Sequence, residues 1–331
     1  MPLPRHVRPF FQISALSILL ACAGCTDHGI SPADTLSVEL EAPTQTLNPL
    51  YTTDTNSQHI NELIHAGLTA NSKELDPEPY LAEEFHYEGK NSLYFRLRRG
   101  CLFPNGRAIT SSDVEKSIAF FLNPKNQSSY AETNYKNIQK FEKIDDYQFR
   151  VITSKPSPGL ANDFQLLKIM QLDGIEPGTK PTNIPGAGAY KLTSFSSTEI
   201  KLERSNQPCL PVPAIPKIYI KVVRDDLSRF FKLKRGELDL VLNDMNYRKI
   251  EAIQQDPSLP MSAKIVPSIA YQYMGVNVTA PPLRDKRVRR AIALSFDLPT
   301  LIKYKSRGMA TVARNVLADQ NYFANLHVCR L

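Results

Sequence analysis

Two cysteines three residues apart, Cys22 and Cys25, are the first side chains whose spacing suggests a chemistry. A Cys-x-x-Cys pair can exchange disulfides or supply half of a zinc site, but either role needs a second pair or a histidine cluster. The other cysteines, Cys101, Cys209 and Cys329, are widely spaced. At most one pair can form among them, and their spacing does not say which. The six histidines (His6, His28, His59, His65, His86, His327) are scattered. His59 and His65 fall on one predicted helix but six apart, so they do not share a face as two ligands would. No metal site and no cofactor are expected. Nucleophilic and acid–base chemistry is equally poorly served: there is no G-x-S-x-G turn, H-E-x-x-H helix, phosphate-binding loop or paired carboxylates on one helix. The string Pro185-Gly186-Ala187-Gly188-Ala189-Tyr190 comes nearest to a dinucleotide loop, yet it lacks a third glycine and a following helix. The residues argue for a binder rather than an enzyme.

The N-terminus gives the cysteine pair a different meaning. Arg5, His6 and Arg8 precede a nearly all-apolar run from Phe10 to Leu20, too short to span a bilayer and proportioned like a signal sequence. Small residues then precede a cysteine, which resembles a bacterial lipobox, where that cysteine becomes the acylated first residue. Cys25, after Ala23-Gly24, is the preferred site, with Cys22, after Leu19-Leu20-Ala21, as the alternative. The reading is a signal peptide over 1–24, a polar tether over 25–35, and a lipid anchor on the periplasmic or extracellular face of the cell membrane.

Composition is that of a folded protein: 42% hydrophobic and 22% charged over 331 residues, enough for two or three structural units. The net charge of +7 includes Arg5 and Arg8 of the leader. No basic run interleaves with aromatics, so nucleic acid is not an expected partner.

The elements alternate. Leu36, Val38 and Leu40 read as a first strand, and the Leu47-Asn48-Pro49 turn leads to a helix carrying Ile60, Leu63, Ile64 and Leu68 on one face. Leu93, Phe95 and Leu97 mark a half-buried strand. Phe103-Pro104-Asn105-Gly106 marks a tight turn, and Thr110 with Asp113 a capping-box-like start to a helix buried through Val114, Ile118 and Phe121. The stretch from Asn123 to Tyr135 reads as loop. Tyr147, Phe149 and Val151 form a strand, and residues 173–188 a Gly/Pro-rich crossing. Further strands are expected at 200–204, 218–222 and 237–241, with a helix from Asp225 to Gly236. From Tyr271 to Val276 the sequence alternates as a strand that Asn277 ends. Pro281-Pro282 forbids helix there, and two short helices start at Asp285 and Asp297 with buried stripes through Val288, Ala291, Ile292 and Ser295, then Leu298, Leu301 and Ile302.

Read as one string, Asn277, Pro281, Pro282, Asp285, Arg287, Val288, Arg289, Ala291, Ile292 and Asp297 resemble the signature of the family 5 extracytoplasmic solute-binding proteins, the OppA-like oligopeptide- and dipeptide-binding components of ABC importers. Leu47-Asn48-Pro49, the set Pro79, Leu81, Ala82 and Glu83, the Pro185–Tyr190 string and Gly236-Glu237-Leu238-Asp239 resemble further family segments. Asn48, Ala66 and Phe85 replace the family's usual Asp, Glu and Trp. The resemblance covers about residues 36–306, and the final residues depart from it.

It implies an α/β, two-lobed periplasmic-binding-protein-like fold of type II with an extra subdomain and an incomplete second lobe. The implied division is 36–65 and 183–271 for the first lobe, 66–182 for the extra subdomain, and 272–331 for the start of the second lobe. Either a second chain would then supply what this one lacks, or the product is a truncated remnant that does not bind tightly. It implies an extended oligopeptide held like an added strand and delivered to ABC importer permease subunits, with lobes closing by hinge motion. Other solutes of relatives are glutathione, haem, nickel chelates and cell-wall peptides; a surface lipoprotein acting by protein–protein contact is a reading of another class. Carried over by position, Thr53, Asp54 and Thr55 form a ligand-contacting loop, Asn243 and Asp244 a second contact, and Tyr271 and Tyr273 an aromatic pair at the lobe junction. Asp54 could pair with a peptide amine or a basic side chain, or be a solvated loop residue, Thr53 and Thr55 could be plain loop, and both tyrosines could belong to a core.

Overall fold

A computed structural model describes residues 34–73, 76–242, 245–266 and 271–313. In chain order the elements are β1 (Thr35–Leu40), α1 (Thr55–Ile64), β2 (Thr69–Asn71), β3 (Pro77–Pro79), β4 (Ala82–Tyr87) and β5 (Ser92–Leu97). There follow α2 (Ser111–Leu122), β6 (Ile138–Lys143), β7 (Gln148–Thr153), α3 (Leu160–Asp163), β8 (Tyr190–Phe195), β9 (Glu199–Arg204) and β10 (Lys217–Val222). The last are α4 (Asp226–Lys234), α5 (Tyr247–Gln255), α6 (Pro281–Arg284), α7 (Lys286–Leu294) and α8 (Leu298–Lys305). Among the described residues no helix is long and apolar enough to cross a membrane.

Two four-stranded sheets organise the chain. The first runs β1-β10-β9-β8, with β1 and β10 parallel and the rest antiparallel. Alternate residues Ile200, Leu202, Ile218 and Ile220 are buried on it together with Ile60 and Ile64 of α1. The second runs β4-β5-β7-β6, fully antiparallel. Leu93, Phe95 and Leu97 of β5 and Phe149 and Val151 of β7 are buried as their alternation requires, under Val114, Ile118 and Phe121 of α2. That helix starts with the expected capping box, in which the Asp113 carboxylate accepts from Thr110 N at 2.9 Å. The 103–106 turn closes with Gly106 N–H donating to Phe103 O at 2.8 Å. Its Gly106 φ of 83° is a conformation glycine adopts without strain.

The glycines of the Pro185–Tyr190 string serve packing. Gly188 N–H donates to Ile64 O at 3.1 Å at the end of α1. A Cβ at Gly188 would overlap the Leu63 carbonyl, and one at Gly186 the His65 ring. The backbone must pass this close to cover the helix end, and only glycine lets it.

Cys101 and Cys209 form a disulfide with a Cα–Cα distance of 4.9 Å. This settles which pair forms and joins the segment after β5 to the segment between β9 and β10. Gln207 stitches the same joint: its carboxamide accepts from Leu102 N at 2.8 Å and donates to Leu102 O at 2.7 Å.

Several local expectations are corrected. The helix α1 ends at Ile64, so Leu68 is buried beyond the helix rather than on its face. The stretch 123–135 is not plain loop: residues 124–126 and 131–135 are helical turns, and Tyr135 is fully buried, its hydroxyl donating to Asp163 O at 2.7 Å. Residues 237–241 make a single parallel bridge, Leu240 to Val38, instead of a strand. There the Asp239 carboxylate takes the Ser37 N–H at 2.7 Å, using a donor that a longer ladder would need. Pro281 and Pro282 start α6 rather than forbidding helix, because the first-turn N–H groups that prolines lack have no intrahelical partner anyway.

The largest correction concerns 271–305. Tyr271–Val276 is not a strand, since nothing among the described residues pairs with it. Asp285 and Asp297 do cap α7 and α8, accepting from Arg287 N at 2.8 Å and Thr300 N at 3.1 Å. Most of the stripe residues expected to be buried are exposed, including Val288, Leu298 and Leu301, and Ile292 and Ile302 are only half-buried. Local sequence sets the period and the caps; burial needs a facing surface, and none of the described residues supplies it.

Candidate functional site

The Thr53-Asp54-Thr55 loop lies exposed at the start of α1. Asp54 has a structural job there, its Oδ1 accepting from Ser57 N at 2.8 Å as the helix N-cap. Behind the loop lies a cavity of about 20 Å³, lined by Pro49, Thr52, Gln58, Asn61, Glu62, Tyr130, Leu166 and Lys168. That volume has room for about one or two water-sized groups.

The wall of this cavity is tied together by polar contacts. Tyr130, at the start of the 131–135 turn, reaches across, its hydroxyl donating to Thr52 O at 2.5 Å and accepting from Gln58 Nε2 at 3.1 Å. Asn61 Nδ2 donates to Thr52 Oγ1 at 3.0 Å. Two segments distant in sequence, the 49–55 loop with α1 and the turn at Tyr130, are thereby joined, and Leu166 and Lys168 line the cavity beside them.

Charge in this region is buried. Lys168 is 9% exposed and its ammonium is lowered to about 8, by burial first, against the attraction of Glu62. His65, fully buried one turn along from Asn61, is lowered to about 3 by burial and then by the Lys168 charge. An unfolded His65 protonates near pH 6.5 and the folded one near 3, so between those values the unfolded chain carries the extra proton. Stability therefore falls as pH drops through 6.5, by at most about 1.4 kcal/mol per pH unit from this group. Urea midpoints measured from pH 7 to 5 should decline in the wild type, and His65→Gln should flatten that decline. An unchanged slope in His65→Gln would show that another group is responsible.

Of the residues singled out in the sequence, Thr53, Asp54 and Thr55 sit beside this cavity. Tyr271 and Tyr273 pair with each other, ring centroids 5.7 Å apart, and are exposed, Tyr273 at 80%. They are not core residues. Among the described residues no hydrogen bond or ring contact joins them to the 53–55 loop. Asn243, Asp244, Cys22 and Cys25 lie outside the described residues. Gln58, Asn61, Glu62, Tyr130 and Lys168 were missed. Two signals pointed to them: Asn61 stands on the buried i, i+3, i+4, i+7 face of α1 with Ser57, Ile60 and Ile64, and Lys168 is a lone cation in the apolar run 166–170.

Comparison with known proteins places this geometry. A sequence profile of the bacterial extracellular solute-binding proteins, family 5, middle part, matches residues 76–327. The glutathione-binding protein GsiB of Escherichia coli strain K12 is 26% identical over 289 residues, which cover 84% of this chain and 55% of that protein. Among solved structures, NikZ from Campylobacter jejuni in complex with Ni(L-His) superposes with a TM-score of 0.73 at 22% identity, covering 87% of this chain and 58% of that one. The oligopeptide-binding protein AppA from Bacillus subtilis, bound to a nonapeptide, gives 0.74 at 21% identity, covering 87% and 58%. The periplasmic binding protein DppA from Helicobacter pylori, with peptide STSA, gives 0.74 at 18%, covering 88% and 62%. The chain thus spans little more than half the length of the curated relatives it matches. Its two sheets and linking crossing share the two-lobed fold of these structures, and with the family profile matching most of its length, the chain belongs to the family 5 bacterial extracellular solute-binding proteins.

Proposed function

We propose that this protein binds an extended peptide outside the cytoplasmic membrane, tethered there by lipid, and delivers it to the permease subunits of an ABC importer. The family match over residues 76–327 carries this reading. The ligand-facing residues are Thr53, Asp54 and Thr55 with Tyr130 beside them, joined by Asn243, Asp244, Tyr271 and Tyr273 from the later part of the chain. The exposed Tyr271–Tyr273 pair supports the assignment, since two adjacent aromatic faces offer apolar area for a ligand side chain without demanding its identity. Glutathione is a second reading, favoured by the binding partner named for the curated relatives.

Native mass spectrometry of the purified chain tests the proposal. A ladder of bound peptide masses is expected; a single bound species of glutathione mass would favour the second reading, and protein that stays ligand-free with both added would refute the two together. The anchor has its own test. Cys25→Ala should move the protein from the membrane fraction to the soluble one, because acyl chains supply the membrane affinity. Retention of Cys25→Ala on membranes, lost only when Cys22 is also replaced, would reassign the lipid to Cys22.

A further inference from the structure

We infer that the stretch from Pro281 to Gly308, which carries α6, α7 and α8, is a face that lies on an anionic lipid bilayer, its apolar side chains entering the headgroup boundary and its Lys and Arg side chains meeting the lipid phosphates. This goes beyond solute binding and depends neither on the solute nor on an acylated cysteine.

Charge and apolar exposure coincide in this stretch. Residues 281–308 hold eight Lys or Arg and two acids, Asp285 and Asp297, a net +6 against +7 for the whole chain. The same residues expose Leu294 at 62%, Phe296, Leu298, Leu301 and, at 66%, Tyr304. In α7 the two properties are sorted by face. With about 3.6 residues per turn, Val288 and Ile292 stand one above the other, Lys286 and Arg290 fall on the opposite side, and Arg287 and Arg289 lie at the two edges. The edge pair is engaged: Arg287 Nη2 is 2.6 Å from Asp285 Oδ2, and Arg289 Nη1 donates to Leu283 O and Arg284 O, each at 2.8 Å. Among the described residues Lys286 and Arg290 have no ion-pair or side-chain hydrogen-bond partner.

A lipid surface is the partner that uses both halves of the pattern. A nucleic acid would take the cations and leave Leu294, Phe296, Leu298 and Leu301 in water. An apolar protein patch would cover those four and gain nothing from Lys286 and Arg290. An acidic protein patch matches the charge only with its carboxylates in one register, whereas a fluid bilayer brings a phosphate to wherever a cation stands. Its hydrocarbon edge takes the apolar side chains, and the long Lys and Arg stems reach from that depth to the headgroups. Tyr304, with an apolar ring and a polar hydroxyl, suits the boundary itself. α7 has nine residues and α8 eight, against the roughly 20 that cross a bilayer, so these helices lie on it rather than span it.

The chain contains no Trp, so one introduced Trp reports on its own surroundings. The test uses the full chain with Cys22→Ala and Cys25→Ala, which removes any acyl chain. Phe296→Trp then reads the face, and Val212→Trp, at a position 72% exposed between β9 and β10, is the control. The probes are vesicles of phosphatidylcholine alone and of phosphatidylcholine mixed with phosphatidylglycerol. The mixed vesicles should shift the Phe296→Trp emission to the blue and expose it to quenching by brominated acyl chains. Phosphatidylcholine alone should leave it unchanged, and Val212→Trp should respond to neither. Adding Lys286→Glu and Arg290→Glu to Phe296→Trp should raise the lipid concentration for a half-maximal shift at least about tenfold. The inference is overturned by no shift at Phe296→Trp, by an equal shift with both kinds of vesicle, or by an equal shift at Val212→Trp. Emission already blue without lipid that moves to the red on dilution also overturns it, and would place a second copy of this chain on the face. Tyr304→Trp gives the same readings should Phe296→Trp not fold.

Discussion

Replacing Cys101 by Ser is expected to lower the unfolding free energy by about 2–5 kcal/mol, as reduction of the native protein should. The bond closes a stretch with a sequence separation of 108, long enough to restrict the unfolded chain strongly. It also holds the only covalent tie among the described residues between the segment that follows β5 and the segment that precedes β10. Urea unfolding with and without reductant checks this. Wild type under reductant, Cys101→Ser and Cys209→Ser should converge on one midpoint, and the double variant should fall no further, because one bond is lost in every case. A midpoint insensitive to reductant would show that Gln207 and the surrounding packing hold the joint unaided. A bond of this kind persists outside the reducing cytoplasm, which agrees with an extracellular binding-protein family.

Arg229→Leu is expected to cost about 3–5 kcal/mol, the penalty for leaving a buried carboxylate without its cation. Glu39 on β1 and Arg229 on α4 are both almost wholly buried, with Arg229 Nε 3.8 Å from Glu39 Oε2. The guanidinium is further fixed by donating from Nη1 to Val223 O at 2.8 Å and Arg224 O at 3.0 Å. It therefore ties the end of β10, the helix after it and the neighbouring strand into one unit. The double variant Glu39→Leu/Arg229→Leu should recover most of the loss, since burying two apolar groups avoids the desolvation cost of either charge. Denaturant titration of the three variants decides the point. A single-variant loss below about 1 kcal/mol, or a double variant no better than Arg229→Leu, would mean that solvent reaches Glu39 or that its other contacts suffice.

What could be read directly were elements whose signal is local. The alternation of Leu93, Phe95 and Leu97 depends on a period of two that any half-buried strand must show, and the structure buries all three. The capping box at Thr110 and Asp113 and the N-caps at Asp285 and Asp297 depend on side chains reaching backbone donors within three residues. The family signature was legible for the same reason, being a run of turn residues, caps and periodic apolar positions in fixed order.

The sequence by itself thus determined the family, the α/β alternation and the starts of α2, α4, α7 and α8, because each is written in neighbouring residues. Only the tertiary structure decided the rest, because each outcome depends on what stands opposite. Whether Cys101 meets Cys209 depends on how two segments more than a hundred residues apart cross. Whether Tyr271–Val276 pairs as a strand, or the stripes of α7 and α8 are covered, depends on a facing surface that no periodicity contains. The cavity at Asn61 and Lys168 shows this most directly. Its walls come from residue 49 to residue 168, so its chemistry exists only once α1, the turn at Tyr130 and the Leu166-Leu167-Lys168 segment are brought together.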